Sequence, residues 1–198
     1  MIYFTSDLHL GHKSAIEFSH RPFADVDEMN TALIANINDT VGIKDELWIL
    51  GDFAYKVGRE EVRNYRKQIK CKHVHLINGN HDRDYSRDDI FSSVQDYKEL
   101  KTEYGKFILF HYPIMEWNAA HHGTVHLHGH IHSTGEYNAN NHNRKYADRF
   151  EWGHGSCDPD MTLRIYDVGV DANQYRPISL ESIAAYLGLE RISSKGEG

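Results

Sequence analysis

Residues 73–82 read His-Val-His-Leu-Ile-Asn-Gly-Asn-His-Asp, and this stretch decides the fold class. His73 to Ile77 has the length and apolar content of a buried strand. Asn78-Gly79-Asn80-His81-Asp82 then ends it with a glycine suited to close backbone approach and with more polar side chains than a turn requires. The same grammar recurs upstream. A helix over about Glu60 to Lys70 turns Val62, Tyr65 and Ile69 inward, and before it a strand from Glu46 to Leu50 stops at Gly51-Asp52. From Asp27 to Val41, Met29, Leu33 and Ile37 recur at helical intervals, with Gly42 as a stop. Ile2 to Thr5 is a further strand, which breaks at Ser6 into a loop holding Asp7, His9 and Gly11. Strands alternating with helices of this length predict βαβ units, a largely parallel sheet and the α/β class. Ligands of such sheets bind at the carboxyl ends of the strands, so Asp7, His9, Asp52, Asn80 and His81 should meet on one rim.

Downstream the chain is more β-like. Lys98 to Tyr104 and Lys106 to Phe110 flank Gly105 as a hairpin, Thr124 to His128 forms another strand, and Met161 to Val170 another. Two of these run into histidines, at His111 and at Gly129-His130-Ile131-His132. A last helix has Ser179 as its N-cap, Glu181 in its first turn and Leu180, Ile183, Ala184 and Leu187 on its apolar side. Residues 133–160 are polar, rich in asparagine and without periodicity, which predicts either a solvated loop or a lid. In such a lid Tyr137, Arg144, Lys145, Tyr146, Arg149 and Trp152 would grip a nucleotide or phosphate. The expected organisation is one domain over 1–191, with 133–160 as its polar insertion and 192–198 as a flexible tail.

Composition narrows the function. At 198 residues with 40% hydrophobic and 26% charged residues, the chain is neither disordered nor collagenous nor a coiled coil. A net charge of −7 removes the cationic field behind non-specific binding to nucleic acid or anionic membranes. No apolar run approaches the roughly 18 residues of a membrane span, and the start MIYFTSDLHLGH lacks a secretory pattern. Two cysteines, Cys71 and Cys157, in such a chain point to a reducing cytoplasm and exclude thiolate metal sites. Histidine is the anomaly. There are fifteen, more than either lysine or arginine, and six lie between His121 and His132.

The polar strand ends supply only oxygen and nitrogen donors, a set that suits Mn²⁺, Fe, Zn²⁺, Ni²⁺ or Co²⁺. Taken in order they are Asp7-x-His9, Gly51-Asp52, Gly79-Asn80-His81-Asp82, His111 and Gly129-His130-x-His132. This series resembles the signature of the calcineurin-like metallophosphoesterase superfamily. With Gly11-His12 and Arg21-Pro22-Phe23, the start is similar to small bacterial and phage members.

The resemblance implies a four-layer αββα sandwich of two mixed β-sheets flanked by helices, with a binuclear metal site at one end. It implies two divalent transition-metal ions: Asp7, His9 and His132 on one, Asn80, His111 and His130 on the other, and Asp52 bridging. Such a pair retains an excess positive charge over the two carboxylates and clamps the oxygens of an in-line displacement. The implied function is metal-dependent cleavage of a phosphodiester, phosphomonoester or nucleotide by a metal-bridging hydroxide. The alternative is a non-catalytic protein-interaction scaffold of the same fold.

By the same resemblance His81 protonates the leaving alkoxide or stabilises phosphoryl charge. Asp82 either orients the second His81 ring nitrogen or caps the following turn. His12 and Arg21 are candidates to line the phosphate pocket or to serve structure, and His73, His75, His126 and His128 are read as strand residues. Protein Ser/Thr phosphatases follow Gly-Asp with further Asp and Arg residues, whereas here Phe53-Ala54-Tyr55 follows, which argues against that activity. The expected partner is a small phosphorylated substrate or nucleotide.

Overall fold

The structure, a computed structural model, describes residues 1–142, 144–149 and 160–192. Its elements in chain order are β1 (Ile2–Thr5), α1 (Lys13–Phe18), α2 (Val26–Thr40), β2 (Glu46–Leu50), α3 (Arg59–Gln68), β3 (His73–Ile77), β4 (Ser93–Gln95), β5 (Tyr97–Thr102), β6 (Gly105–Phe110), β7 (Val125–His128), α4 (Gly135–His142), β8 (Ile165–Asp167), β9 (Ile178–Ser179) and α5 (Leu180–Tyr186). Short 3₁₀ turns lie at Ala120–His122, Tyr146–Arg149 and Val170–Ala172.

Two mixed sheets result. The first has the order β4-β3-β2-β1-β9, parallel except for β9, and the second has β5-β6-β7-β8, with only the β5–β6 hairpin antiparallel. Strand alternation divides the apolar side chains between faces. Leu47, Ile49, Val74 and Leu76 pack outward with Met29, Leu33 and Ile37 of α2 and Val62 of α3. Phe4, Trp48, Leu50 and Ile77 point the other way and meet Phe107, Leu109, Val125, Leu127 and Tyr166 of the second sheet, closed by Leu180 and Ile183 of α5. Beyond the second sheet, Ile108 and Ile165 pack with Trp117, Ala120, Tyr146 and Leu163. Among the described residues no helix is long and apolar enough to cross a membrane.

Several expectations need correction. Met161 to Val170 is not one strand; only Ile165–Asp167 pairs within the second sheet, and Thr162 makes an isolated bridge to Lys145. The polar 133–160 segment is not structureless. It contains α4 and a 3₁₀ turn, and α4 docks through buried Asn138, whose side chain donates to the Asp167 carbonyl at 3.0 Å and accepts from the Asp167 N–H at 2.8 Å. This amide clamp takes the place of an apolar stripe, which is why no periodicity announces the helix. Trp152, with the rest of 150–159, and the tail residues 193–198 lie outside the described residues.

Candidate metal centre

The loops leaving β1 and β2 run side by side. The N–H groups of Asp7, His9 and Leu10 donate to the carbonyls of Gly51, Asp52 and Phe53 at 3.1, 2.9 and 3.1 Å. Leu8 and Leu10 sink into the core beneath, which fixes where Asp7 and His9 can point. The second sheet is stitched to the same place: the Val170 N–H donates to the Ser6 carbonyl at 3.1 Å, and the His130 N–H to Asp7 Oδ2 at 2.9 Å. Asp7, His9, Asp52, His130 and His132 all adopt left-handed backbone, with φ of 58°, 52°, 54°, 73° and 46°. Aspartate tolerates this region better than most residues, and histidine likewise, yet each instance is a local cost sustained by the surrounding fold.

The motif glycines are there for space. A Cβ on Gly79 would lie 2.2 Å from Asp52 Oδ1, one on Gly51 2.3 Å from His111 Nδ1, and one on Gly129 2.0 Å from Ser6 Oγ and 2.4 Å from Asp7 Oδ2.

Two donor clusters form. Asp7, His9 and His132 make one, and Asp7, Asp52 and His111 the other, with ligand atoms in each within 4.8 Å of one another. The Nε2 atoms of His9 and His132 face each other at 3.0 Å. Asp52 Oδ2 sits 3.5 Å from His9 Nε2 and 3.6 Å from His111 Nε2, between the two halves. Asn80 Oδ1 is 2.9 Å from His111 Nε2, and the His130 ring lies 5.0 Å from that of His111. Asp7 therefore takes part in both clusters, where the expectation put it in one only.

The electrostatics fit cations. Burial, and then the Asp167 and Asp52 carboxylates, push the Asp7 carboxyl well above its usual range. Burial and neighbouring histidines push His9 down to about 2, so its imidazole is neutral with a lone pair to offer. His111 and His130 are lowered for the same first reason. A buried Asp7 carboxyl that resists ionising for want of nearby positive charge, beside imidazoles kept neutral, belongs to a donor set that hard-to-borderline divalent ions satisfy.

Around this cluster the remaining residues fall into place. His81 is exposed at the rim, and its backbone N–H donates to Asp52 Oδ1 at 2.9 Å. His12 stacks on Tyr55 with ring centroids 3.6 Å apart and meets His9 through their Nδ1 atoms at 3.2 Å. Asp82 neither engages the His81 ring nor caps the following turn. It accepts from the N–H groups of Asp52, Phe53 and Gly79 at 2.7, 3.0 and 2.9 Å, which lashes the loop after β2 to the loop after β3.

Arg21 is also corrected. It is buried, and its N–H groups go to Asp171 Oδ1 and Oδ2 at 2.9 Å each, to the carbonyls of Leu8 at 3.1 Å and Asp7 at 2.7 Å, and to Met29 Sδ at 3.5 Å, which leaves no donor for a substrate. Asp171, which the sequence reading missed, holds His132 Nδ1 at 2.9 Å. No motif marks it, since it lies in a 3₁₀ turn far along the chain from His132. His126 and His128 are buried strand residues facing Trp117 and Tyr137.

A family model for calcineurin-like phosphoesterase matches residues 1–172. An uncharacterized protein of Methanocaldococcus jannaschii, MJ1445, is 28% identical over 92% of this chain and 88% of its own length. The gene 66 protein of Mycobacterium phage L5 is 29% identical over 66% of this chain and 77% of its own. Among solved structures, the protein of unknown function AQ665 from Aquifex aeolicus superposes with a TM-score of 0.66 at 22% identity, covering 93% of this chain and 98% of that one.

Proposed function

Because this chain belongs to the calcineurin-like phosphoesterases, we propose that it hydrolyses phosphoesters with two divalent cations. Asp7, His9 and His132 would hold one, and Asn80, His111 and His130 the other. The observation that carries this reading is the place of Asp52, whose Oδ2 stands nearly equidistant from His9 Nε2 and His111 Nε2, at 3.5 and 3.6 Å. When bound, such a pair of ions supplies a nucleophile at neutral pH and neutralises charge on the phosphoryl oxygens. Mn²⁺, Fe²⁺, Zn²⁺, Ni²⁺ and Co²⁺ all suit the donors.

The chain's own groups do the rest. Asp171 and Ser19, 2.9 and 3.1 Å from His132 Nδ1, orient that imidazole. Asp82 fixes the backbone of Asp52, while His81, exposed at the rim, would hand a proton to the departing ester oxygen.

Metal-stripped protein assayed on bis(p-nitrophenyl) phosphate should be inactive and regain activity on adding one of these ions. Asp52→Asn should abolish turnover; full activity in stripped protein or in that variant refutes the reading.

A further inference from the structure

Two aromatic side chains stand beside opposite halves of the metal centre. The Phe18 ring lies 5.1 Å from that of His132 and 6.3 Å from that of His9. The Tyr112 ring lies 4.5 Å from that of His130 and 4.9 Å from that of His111. Phe18 is 52% exposed and Tyr112 36%. A single exposed aromatic residue is ordinary, but two rings bracketing one polar centre are placed where a ligand meets them.

Tyr55, the third aromatic residue here, is already engaged: His12 stacks on it at 3.6 Å, and the Lys56 ammonium lies 4.9 Å from its centroid. Arg21, the buried guanidinium behind the centre, spends its donors on protein atoms and has none for further phosphates. Past Tyr112 the same loop runs through Pro113, Ile114 and Met115 along a cavity of about 350 Å³ that Tyr137 and Arg144 also line. That volume is in the range of small-ligand pockets.

We infer that the substrate is a phosphodiester with a nucleoside on each side of the scissile phosphate, one base stacking on Phe18 and the other on Tyr112. This rests on the phosphoesterase reading and narrows its substrate class from esters in general to nucleoside diesters. Water adds across the diester: its oxygen bonds to phosphorus, one P–O ester bond breaks, and the leaving oxygen takes up a proton. The products are a nucleoside monophosphate and a nucleoside. A phosphomonoester would leave one ring uncovered. Stacking accepts every base, so little base preference is expected, and a net charge of −7 favours short substrates over long polyanions.

The test compares thymidine 5′-(p-nitrophenyl) phosphate with ethyl p-nitrophenyl phosphate, which share a leaving group. Wild type should favour the thymidine ester by about tenfold or more in kcat/KM, the scale of one base–aromatic stack. Phe18→Ala/Tyr112→Ala should bring that ratio close to one, and Phe18→Tyr/Tyr112→Phe, which keeps both rings, should preserve it. Calorimetry with the dithymidine methylphosphonate, which is not turned over, should show binding at least about tenfold weaker in the alanine double variant than in the ring-preserving one. A ratio near one in wild type, a ratio retained without the rings, or a higher kcat/KM on thymidine 5′-monophosphate than on the dithymidine diester would overturn the inference. Absence of metal-dependent hydrolysis of both aryl esters would instead overturn the phosphoesterase reading beneath it.

Discussion

Asp171 Oδ2 holds His132 Nδ1 at 2.9 Å, and Arg21 grips both oxygens of the same carboxylate. Such a partner fixes the tautomer and orientation of a ligating imidazole, and its loss commonly weakens metal binding by about 10- to 100-fold. Asp171→Asn should therefore lower metal affinity on that scale, as read by competition with a chromophoric chelator, and should also cost about 3–5 kcal/mol of stability, because it leaves the buried Arg21 guanidinium without its counter-charge. Arg21→Met acts differently. It strands a buried carboxylate and two carbonyls, and urea unfolding should show a loss of about 3–5 kcal/mol; a variant of normal stability with only a raised KM would restore Arg21 to a substrate pocket. The convergence of Asp7, His9, Asp52, His111 and His132 was legible in sequence because each lies within a few residues of a strand's carboxyl end, whereas their sorting onto two ions came from the family resemblance. Arg21 stayed open between pocket and structure because nothing in a sequence reveals whether a guanidinium has already spent its donors.

Elements bound by apolar periodicity, such as α2 with Met29, Leu33 and Ile37, were readable to within a residue or so. Short or polar elements were not: α1 is only six residues long, β4 three, and α4 hangs on an amide clamp. Asn138 exchanges two hydrogen bonds with the Asp167 backbone while nearly fully buried, at 4% exposure. Asn138→Ala leaves a buried donor and acceptor without partners, and chemical denaturation should show a loss of about 2–4 kcal/mol. The loss should concentrate in α4, whose amides should exchange faster than those of α2. Asp25 caps α2 by accepting from the N–H groups of Asp27 and Glu28 at 3.0 and 2.9 Å. Asp25→Ala should cost about 1 kcal/mol without altering metal content.

At the scale of the molecule, the α/β class was legible from alternation alone, whereas the pairing of two sheets came only through the family resemblance. What joins the sheets is an apolar interior flanked by Tyr166, whose hydroxyl donates to Asn173 Oδ1 at 3.0 Å and whose pKa is pushed up to about 12, mainly by burial. An unfolded tyrosine loses its proton near pH 10. Between about pH 10 and 12 the unfolded chain is deprotonated at this position and the folded chain is not, so stability falls as pH rises through that window. Thermal melts of Tyr166→Phe should decline less steeply than wild type there; parallel slopes would mean the hydroxyl plays no part.

The left-handed backbone at Asp7, His9, Asp52, His130 and His132 separates two events that are easily taken as one. The apolar layers give the chain its frame, while these five dihedrals run uphill and are sustained by the packing and hydrogen bonds around them. Under the two-cation proposal, building the frame and loading the ions are distinct steps, the second reversible and governed by ion supply. On that proposal a cell short of metal would hold a reservoir of intact, silent protein, ready once both ions bind and needing no new synthesis.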